Sequence, residues 1–393
     1  MFNIQALNSI AAVGLKQFPE NLYHVEAEIH DPDAILVRSY NLHDKVLPSS
    51  VKVIGRAGAG VNNIPVDLLT KQGIPVLNTP GANANAVKEL VIAGMLLASR
   101  HICQAWNYLK HLSEKNDTDL NKKIEQDKKQ FVGFELLGKT LGVIGLGSIG
   151  VKVANTAMHL GMNIIGYDPT ITVNRAWELS ADVKQAMSLQ HLLSTADFVS
   201  IHVPLNEQTK KMIGHTQLAL MKKNAVLLNF SRENIIDTDA LKEALQQQKI
   251  FSYITDFPTL ELRTLPTVTS LPHLGASTRE AEENCALMIA KQVRSFLETG
   301  AITHAVNFPS IEIPQSEAAT RIMIVNQNIP NMVAQFSSKL AKAKINILSL
   351  LNKSQDEIAY TLIDINEDIG EPILKEIAAI QGVIRVRKMT RLS

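Results

Sequence analysis

Arg232 and His273 are the two side chains whose types and positions most clearly suggest chemistry. Each follows a predicted strand, the apolar run of residues 225–230 for Arg232 and residues 267–270 for His273. Ligands bind at the edge where parallel strands end, so both side chains are expected to face one cleft. There the guanidinium would hold a carboxylate, and the imidazole would take a proton from a hydroxyl group. Either residue alone is more often an ion-pair partner or a satisfied polar side chain, but together they favour oxidation of an alcohol.

A carboxylate beside the imidazole would raise the pKa of His273 and select its tautomer. Three acidic residues are candidates for this role: Glu261, Asp256 and Glu280. Loop carboxylates are commonly just solvated, and spacing alone does not choose among the three. The residues therefore predict a carboxylate partner without identifying it.

A glycine-rich turn within residues 140–169 predicts a dinucleotide site. An apolar strand leads into glycines in GxGxxG spacing, and helical periodicity follows directly. The first glycine allows the tight turn, the second lets the backbone approach a pyrophosphate, and the third lets the helix pack closely on the strand. Asp168 ends the next strand, where a carboxylate binds an adenosine ribose and repels a 2′-phosphate, which favours NAD over NADP. The predicted cofactor residues of this unit are Gly145, Gly147, Ser148, Ile149, Gly150 and Asp168.

A second glycine-rich turn, residues 55–63, follows a short apolar strand. It is equally compatible with a tight connection that binds nothing. As a functional loop, its amides would cradle a substrate carboxylate, and Arg56 would bind a second anionic group. A substrate with two acidic groups would therefore fit. The amides in question belong to Ala57, Gly58, Ala59 and Gly60.

The composition is that of a globular chain of 393 residues, 46% of them apolar, and this length predicts two or three domains. A formal net charge of +1 provides no overall field for nucleic acid or an anionic membrane. The first ten residues lack the pattern of a signal peptide, and the longest apolar run, residues 90–98, is too short to cross a bilayer. Cys103 and Cys285 show neither disulfide nor metal-ligand spacing. We expect a cytoplasmic protein with free thiols and no metal.

The elements that must position these residues follow the pattern of an α/β protein. In the first hundred residues, strands are predicted at 34–38, 51–54 and 75–77, and helices at 65–72 and 86–100. Residues 109–129 are polar and charged and predict a solvated connector. The nucleotide domain follows, with strands at 141–144, 163–167, 198–202, 225–230, 253–256 and 267–270. Their alternation with helices predicts a parallel, doubly wound sheet.

The last part of the chain predicts a returning helix and a separate small module. The helix, at 279–298, has no strands of its own nearby, so we expect it to pack on the first domain and make that domain discontinuous. Residues 307–315 contain two prolines and predict a linker. Beyond them the order βαββαβ predicts a ferredoxin-like module. Its elements are expected at 321–325, 330–344, 346–352, 358–363, 371–380 and 383–388.

Over roughly residues 1–305 the chain resembles the D-isomer-specific 2-hydroxyacid dehydrogenase family. The matching segments are GRAGAGVNN at 55–63, NTPGANANAVKEL at 78–90, GLGSIG at 145–150, IHVPL at 201–205, NFSR at 229–232 and PHLGAST at 272–278. The resemblance implies a catalytic triad of Arg232, Glu261 and His273, which selects Glu261 from the three acidic residues. It also implies that Asp256 contacts the nicotinamide carboxamide. The other residues that it places around the cofactor are His202, Pro204 and Thr209.

The C-terminal module resembles an ACT domain, a regulatory module that binds amino acids. Together with the dehydrogenase motifs, it is similar to the members of the family that oxidise D-3-phosphoglycerate to 3-phosphohydroxypyruvate in serine biosynthesis. This implies that Arg56 holds the phosphate, that Asn328 and Asn346 are effector positions, and that L-serine is a candidate effector. It also implies a homodimer or homotetramer. Asn326 and Asn331 stand where histidine and glycine are typical, which weakens the expectation of inhibition by serine.

We therefore expect two doubly wound Rossmann-like domains and a ferredoxin-like ACT domain. The expected limits are 1–100 and 276–305 for the substrate domain, 101–275 for the NAD-binding domain and 318–393 for the ACT domain. One alternative is another dehydrogenase of this family, acting on glycerate, lactate or erythronate 4-phosphate. A second is an NADH-sensing, corepressor-like protein that binds protein partners.

Overall fold

The computed structural model describes residues 1–8, 10–313 and 320–390 of the chain. It divides into two compact units, of which one comprises Met1–Asn83 with Arg279–Ser393 and the other comprises Ala84–Thr278. Among the described residues, no helix is long and apolar enough to span a membrane.

The first unit begins with a five-stranded parallel sheet in the order β2-β1-β3-β4-β5. Its elements are β1 (Phe2–Ala6), α1 (Ala12–Leu15), β2 (Tyr23–Glu26), β3 (Ala34–Val37), β4 (Val53–Arg56), α2 (Val66–Lys71) and β5 (Val76–Leu77). Strand β1 is not among the strands expected above, although the alternation of Phe2, Asn3, Ile4, Gln5 and Ala6 is typical of a strand. Gln5 is nevertheless buried, and its amide donates to the Ala27 carbonyl at 3.0 Å.

The second unit is built on a seven-stranded parallel sheet in the order β12-β11-β10-β9-β6-β7-β8. The strand order reverses between β6 and β9, which is where doubly wound sheets form a ligand crevice. The strands are β6 (Thr140–Ile144), β7 (Asn163–Tyr167), β8 (Lys184–Gln185), β9 (Phe198–Ile201), β10 (Val226–Asn229), β11 (Ser252–Thr255) and β12 (Val268–Ser270). The helices are α3 (Ala84–Ser99), α4 (Ile102–Lys110), α5 (Asp117–Asp127), α6 (Ser148–His159), α7 (Val173–Glu178), α8 (Leu189–Thr195), α9 (His215–Leu220) and α10 (Thr238–Gln246), with 3₁₀ turns at Lys128–Phe131 and Glu233–Ile235.

Helix α3 packs within the second unit, although the sequence places residues 84–100 in the first domain. Its buried face, with Val87, Val91 and Met95, joins the apolar core formed by β6, α6 and β10. A helix this apolar is stable only where another layer covers it, and the nucleotide sheet with α6 provides that layer. The expected solvated connector begins in α4 and includes α5, which starts at an Asn116 cap whose side chain accepts from the Asp119 amide at 3.0 Å.

Helix α11 (Arg279–Thr299) returns to the first unit and packs on β4 and α1. Glycines permit the close approach. A Cβ on Gly14 would lie 2.6 Å from Ala286, and one on Gly55 would lie 2.8 Å from the Val293 side chain. The first 83 residues therefore complete their core with a helix that is distant in sequence.

The C-terminal module is a four-stranded antiparallel sheet in the order β14-β15-β13-β16. Its elements are β13 (Thr320–Gln327), α12 (Met332–Lys342), β14 (Ile347–Gln355), β15 (Ile358–Ile365), α13 (Glu371–Ala378) and β16 (Val383–Thr390). Ile322, Ile324 and Ile363 face the two helices. Residues of the opposite face, such as Met323 and Tyr360, pack into the core of the first domain. The sheet is therefore covered on both faces.

A buried ion pair anchors this module to α11. The Arg321 guanidinium donates to both carboxylate oxygens of Asp364, at 2.6 and 2.8 Å, and to the Thr299 carbonyl at 2.7 Å. The two side chains are 9% and 0% exposed. Ser349 donates a further hydrogen bond to Asp364 at 3.0 Å. Such a pair contributes to stability only while both partners are present.

The predicted fold class is confirmed: two parallel Rossmann-like sheets precede a ferredoxin-like βαββαβ module. The domain limits stay a prediction, and the compact units divide at 83/84 and 278/279 rather than at 100 and 275. The end of the predicted linker, residues 314–315, lies outside the described residues, as do residues 318–319 and 391–393 of the predicted ACT domain.

Removing one member of the buried ion pair is expected to destabilise the first unit. In Arg321→Met, the Asp364 carboxylate stays buried without its cation, and the expected loss is about 3–5 kcal/mol of unfolding free energy. The double variant Arg321→Met with Asp364→Leu should recover part of this loss, because no buried charge remains. Urea unfolding followed by circular dichroism measures both. A single variant as stable as the wild type would contradict the role given to this pair.

Candidate active site

The glycine turn between β6 and α6 is the most constrained backbone of the second unit. Gly145 has φ +89, in the region that favours glycine, and a Cβ there would lie 2.7 Å from the His202 carbonyl oxygen. A Cβ on Gly150 would lie 1.9 Å from the Gly145 carbonyl oxygen. Both glycines are therefore required by the packing of the chain itself. Ser148 and Ile149 open helix α6 at this turn, so their amides are among those with no acceptor inside the helix.

Gly147 differs from its two neighbours. Its φ of −74 suits any residue, and a Cβ built on it meets nothing within 4 Å. The packing of the described chain therefore does not require glycine at this position. A ligand that approaches the backbone there would require it, as a pyrophosphate on a helix N-terminus does.

Asp168 lies beside the same turn, at the end of β7. One carboxylate oxygen accepts from the Leu146 amide at 2.8 Å, and the other accepts from the Thr170 amide at 2.8 Å and from its hydroxyl at 3.0 Å. These bonds hold the carboxylate next to the glycines. The oxygen bonded to Leu146 accepts only one hydrogen bond, so its second lone-pair direction can still accept from a ribose hydroxyl.

His202 follows β9 and borders the turn from the neighbouring strand. Its amide donates to the Ile144 carbonyl at 2.7 Å, and its Nε2 lies 2.8 Å from the Ser200 hydroxyl oxygen. Burial lowers the pKa of His202 to about 3, so the ring is neutral at physiological pH. Pro204 and Thr209 lie in the loop that follows, where the Thr209 hydroxyl donates to the Pro204 carbonyl at 2.6 Å.

Arg232 leaves β10 on a loop held by Asn229. The Asn229 side chain is fully buried; it donates to the Arg232 carbonyl at 2.9 Å and accepts from the Ser231 amide at 3.1 Å. The guanidinium Nη1 donates to the Ser231 carbonyl at 2.6 Å. Our sequence reasoning missed the role of Asn229, although the NFSR segment contains it and a buried amide at a strand end is a recognisable signal.

Asp256 and His273 meet at the ends of β11 and β12. Asp256 is 1% exposed; its Oδ2 accepts from the Gly275 amide at 2.8 Å, and its carbonyl accepts from the His273 amide at 2.9 Å. Oδ1 is buried and has no hydrogen-bond partner among the described residues. Burial raises the pKa of this carboxyl group, against the effect of the Gly275 bond and the charges of His273 and Arg232. A buried acceptor without a donor fits the amide N–H of a nicotinamide carboxamide.

His273 itself is exposed and stands on strained backbone. Its φ is +45, and its ring packs against that of Phe257 with centroids 4.9 Å apart. Non-glycine residues in this region are uncommon and are found disproportionately at functional sites. Phe257 is a second residue that our sequence reasoning missed, because aromatic contacts of a loop leave no periodic pattern.

Glu261 does not contact His273 in the structure. Its carboxylate is 53% exposed and accepts from Lys242 of α10 at 3.1 Å. No hydrogen bond between Glu261 and His273 occurs among the described residues. An exposed carboxylate pairs with the nearest cation, and here that cation lies on α10. The structure thus gathers Arg232, Asp256 and His273 at the carboxyl edge of the sheet and leaves Glu261 directed elsewhere.

In the first unit, the Arg56 side chain folds over the following turn. A Cβ on Gly58, which has φ +153, would lie 1.5 Å from the Arg56 Nη1. The amides of Ala57 and Gly58 donate to the Val37 and Arg56 carbonyls, at 2.8 and 2.9 Å. Within the described part of the chain, the amides of Ala59 and Gly60 have no acceptor. Only these two amides of the four we expected remain for an anion.

The two predicted effector residues lie in the C-terminal module. Asn328 is exposed and its Nδ2 donates to the Asp356 carbonyl at 3.1 Å, so this amide closes the loop beside the β14–β15 turn. Asn346 is also exposed, directly before β14. Asn326, by contrast, is 1% exposed, and its Oδ1 has no partner among the described residues.

Comparisons with known proteins identify the family of this chain. The model of the D-isomer specific 2-hydroxyacid dehydrogenase NAD binding domain matches residues 92–275. The D-3-phosphoglycerate dehydrogenase of Escherichia coli strain K12 is 32% identical, over 98% of this chain and 94% of that protein. The chain belongs to the D-isomer specific 2-hydroxyacid dehydrogenase family. Its glycine turn, Asp168 and Asp256 therefore lie in the NAD binding domain of that family.

Two further relatives bear on substrate and cofactor. A D-3-phosphoglycerate dehydrogenase of Methanocaldococcus jannaschii is 38% identical over 82% of this chain, but the chain spans 63% of that protein's length. The structure of 3-phosphoglycerate dehydrogenase from Entamoeba histolytica with NAD+ bound superimposes with a TM-score of 0.59 and 25% identity, over 78% of this chain and 98% of that one.

Gly147→Ala is expected to weaken dinucleotide binding without disturbing the fold. A methyl group there meets no protein atom but stands where the backbone must approach a pyrophosphate. We expect the melting temperature to stay within 1–2 °C of wild type, roughly the effect of a neutral surface substitution, and the NADH dissociation constant to rise at least about tenfold. Fluorescence titration with NADH measures the latter. Gly214→Ala, whose Cβ would make only ordinary contacts, is the control; equal NADH affinities in the two variants would contradict this assignment.

His202 should make the second unit less stable as the pH falls below neutrality. Its folded-state pKa of about 3 lies below the unfolded value of about 6.5, so the unfolded chain binds the proton first. The stability is present above pH 6.5 and is lost between pH 6.5 and 3, by about 2 kcal/mol at pH 5. Melting temperatures from pH 8 to 5 should fall less steeply in His202→Gln than in the exposed control His215→Gln. Identical slopes would rule out a neutral His202 in the folded protein.

Proposed function

We propose that this protein is an NAD-dependent D-3-phosphoglycerate dehydrogenase that forms 3-phosphohydroxypyruvate, the first step of the phosphorylated pathway to serine. One observation supports the reaction class: Arg232, Asp256 and His273 lie together at one edge of the sheet, beside the dinucleotide turn. The names of relatives at 30–38% identity support the substrate. The second acidic group of this substrate suits the cationic loop at Arg56.

The residues of the second unit suit NAD. The turn of Gly145, Gly147 and Gly150, with the amides of Ser148 and Ile149, would hold the pyrophosphate, and Asp168 would bind the ribose. His202, Pro204 and Thr209 would border the nicotinamide half, and the unpaired Oδ1 of Asp256 would accept from its carboxamide. When bound, NAD accepts a hydride from C2 of the substrate.

His273 is the proposed general base, which takes the proton of the C2 hydroxyl group. Arg232 would polarise the same oxygen and hold the neighbouring carboxylate. Glu261 remains the proposed partner of the imidazole, and this role requires it to leave Lys242. Long or misdirected catalytic hydrogen bonds are common before substrate binds, so the Lys242 contact does not exclude the exchange. Arg56 would bind the phosphate, and the amides of Ala59 and Gly60 would help to hold the carboxylate.

Assembly, effector and compartment are part of the same proposal. We infer a homodimer or homotetramer and L-serine as a candidate effector at Asn328 and Asn346, both supported by the resemblance to ACT-bearing members of the family. Binding serine at Asn328 would require its amide to exchange the Asp356 carbonyl for the ligand. Cys103 and Cys285 form no disulfide, which supports a reducing compartment such as the cytoplasm.

The decisive experiment compares two substrates that differ only in the phosphate, D-3-phosphoglycerate and D-glycerate. Arg56→Met should lower kcat/KM for the phosphorylated substrate by about 10²-fold and leave that for D-glycerate nearly unchanged, because one charge-assisted contact is lost. His273→Ala should lower both by about 10²–10⁴-fold. NADH formation at alkaline pH, with and without L-serine, provides the rates.

The outcomes separate the alternatives. Equal losses of kcat/KM for both substrates in Arg56→Met would show that this loop does not bind the phosphate. Faster turnover of D-glycerate, lactate or erythronate 4-phosphate by the wild type would identify a different dehydrogenase of the family. Near-normal turnover in His273→Ala would refute the mechanism, and NADH-dependent binding of a protein partner without turnover would favour the corepressor alternative.

A further inference from the structure

A cavity of about 380 Å³ lies within the first unit, where the C-terminal sheet covers the N-terminal domain. Ligand pockets begin at roughly this size, and it is far more than one water requires. Phe2 of β1 and Phe296 of α11 form one side, and Met323 of β13 and Met389 of β16 form the other. The walls thus come from both parts of the unit. Their apolar side chains suit the body of an apolar ligand.

The polar part of the cavity wall is cationic. It comprises Lys52, Arg387 and Lys388. Lys52 pairs with Asp33 at 2.7 Å, and Lys388 pairs with Asp368 and donates to the Ile369 carbonyl at 2.9 Å. Two of the three cations are therefore already neutralised by carboxylates.

Arg387 is the exception. Its Nη1 donates to the Lys52 carbonyl at 3.0 Å, but Nη2 is buried and has no hydrogen-bond partner among the described residues. No carboxylate pairs with Arg387 within the described part of the chain. Its guanidinium carbon lies 5.7 Å from the centre of the Phe296 ring, which holds it between the apolar wall and the lysine backbone. Arg387 is half-buried, and a partly desolvated guanidinium without an anion is a costly arrangement that a ligand carboxylate on its accessible side would relieve.

A second arginine on the same strand, Arg385, adds positive charge beside Arg387. Arg385 donates to the Ser49 carbonyl at 3.0 Å, and it borders with Arg387 a void of about 10 Å³, room for one water. Burial, followed by the charge of Arg385, lowers the pKa of Arg387 to about 9. The guanidinium nevertheless stays protonated near neutral pH. The region therefore has an excess of positive charge that the protein does not balance.

We propose that this cavity binds a small carboxylic acid with an apolar body, its carboxylate on Arg387 and its body among Phe2, Phe296, Leu297, Met323 and Met389. The site is separate from the glycine turn and from Arg56, and it does not depend on the dehydrogenase reaction. Because both the N-terminal domain and the C-terminal module contribute walls, a bound acid holds the two together. Occupancy therefore stabilises the docked form of the module.

Matched acid and amide probes test the proposal directly. The full chain is titrated by calorimetry with 4-methylpentanoate and 4-methylpentanamide, and with 3-phenylpropanoate and its amide, which differ only in the charge. We expect each acid to bind at least about tenfold more tightly than its amide, since a charge-assisted hydrogen bond to a half-buried arginine is lost. Saturating acid should raise the melting temperature by about 2 °C or more.

Variants locate the site. Arg387→Met should bind acid and amide equally, and Met389→Trp, which fills the cavity and keeps the charge, should lose both. Lys353→Met, at a contact with the Ser310 carbonyl elsewhere in the same interface, should behave as wild type. Arg232→Met should also keep the preference for the acid, because the active site is not involved. Acids and amides of equal affinity in the wild type, a preference that survives in Arg387→Met, or its loss in Arg232→Met would each overturn the proposal.

Discussion

The close approach of helix α6 to the end of β6 is the constraint on which the rest of the second unit depends. Because Gly150 has no side chain, helix α6 can begin against the Gly145 carbonyl. A Cβ on Gly150 would lie 1.9 Å from that carbonyl oxygen. The helix N-terminus then opens at the sheet edge, with Asp168 fixed to the Leu146 amide beside it. Every other polar group of the site is positioned relative to this turn by the register of parallel strands.

The chemistry at the carboxyl edge of the sheet depends on which of its desolvated polar side chains have hydrogen-bond partners and which do not. Asn229 is buried but fully engaged, and it shapes the loop that carries Arg232. Asp256 is buried with one oxygen unpaired, and His202 is half-buried and uncharged. A site that combines a neutral imidazole, an unsatisfied carboxylate oxygen and a guanidinium is preorganised for a polar, partly anionic ligand.

Residue types and spacing predicted most of this arrangement. Gly145, Gly150 and Asp168 have the geometry expected of them because each role is local, set within one strand, turn and helix. Apolar runs such as residues 198–202 located the buried parallel strands for the same reason. The contact between Glu261 and His273, predicted by resemblance, is not formed. The exposed carboxylate of Glu261 pairs instead with the nearest cation, Lys242. Lys242 lies on helix α10, and no local sequence pattern specifies where that helix packs. Burial of Gln5 in strand β1 could not be predicted from local sequence, because its amide is satisfied by a residue 22 positions away.

The discontinuity of the first unit has a consequence for the order of folding during synthesis. The first 83 residues form a sheet whose β4 face, at Gly55, packs against Ile289 and Val293 of α11. That face stays open on the ribosome until nearly three hundred residues have emerged. Residues 84–278, which form a closed unit of their own, can fold meanwhile. Within that unit a Cβ on Gly275 would lie 3.6 Å from the Val87 side chain, so its first and last segments are close together. The folded nucleotide unit therefore shortens the loop that the first sheet must close.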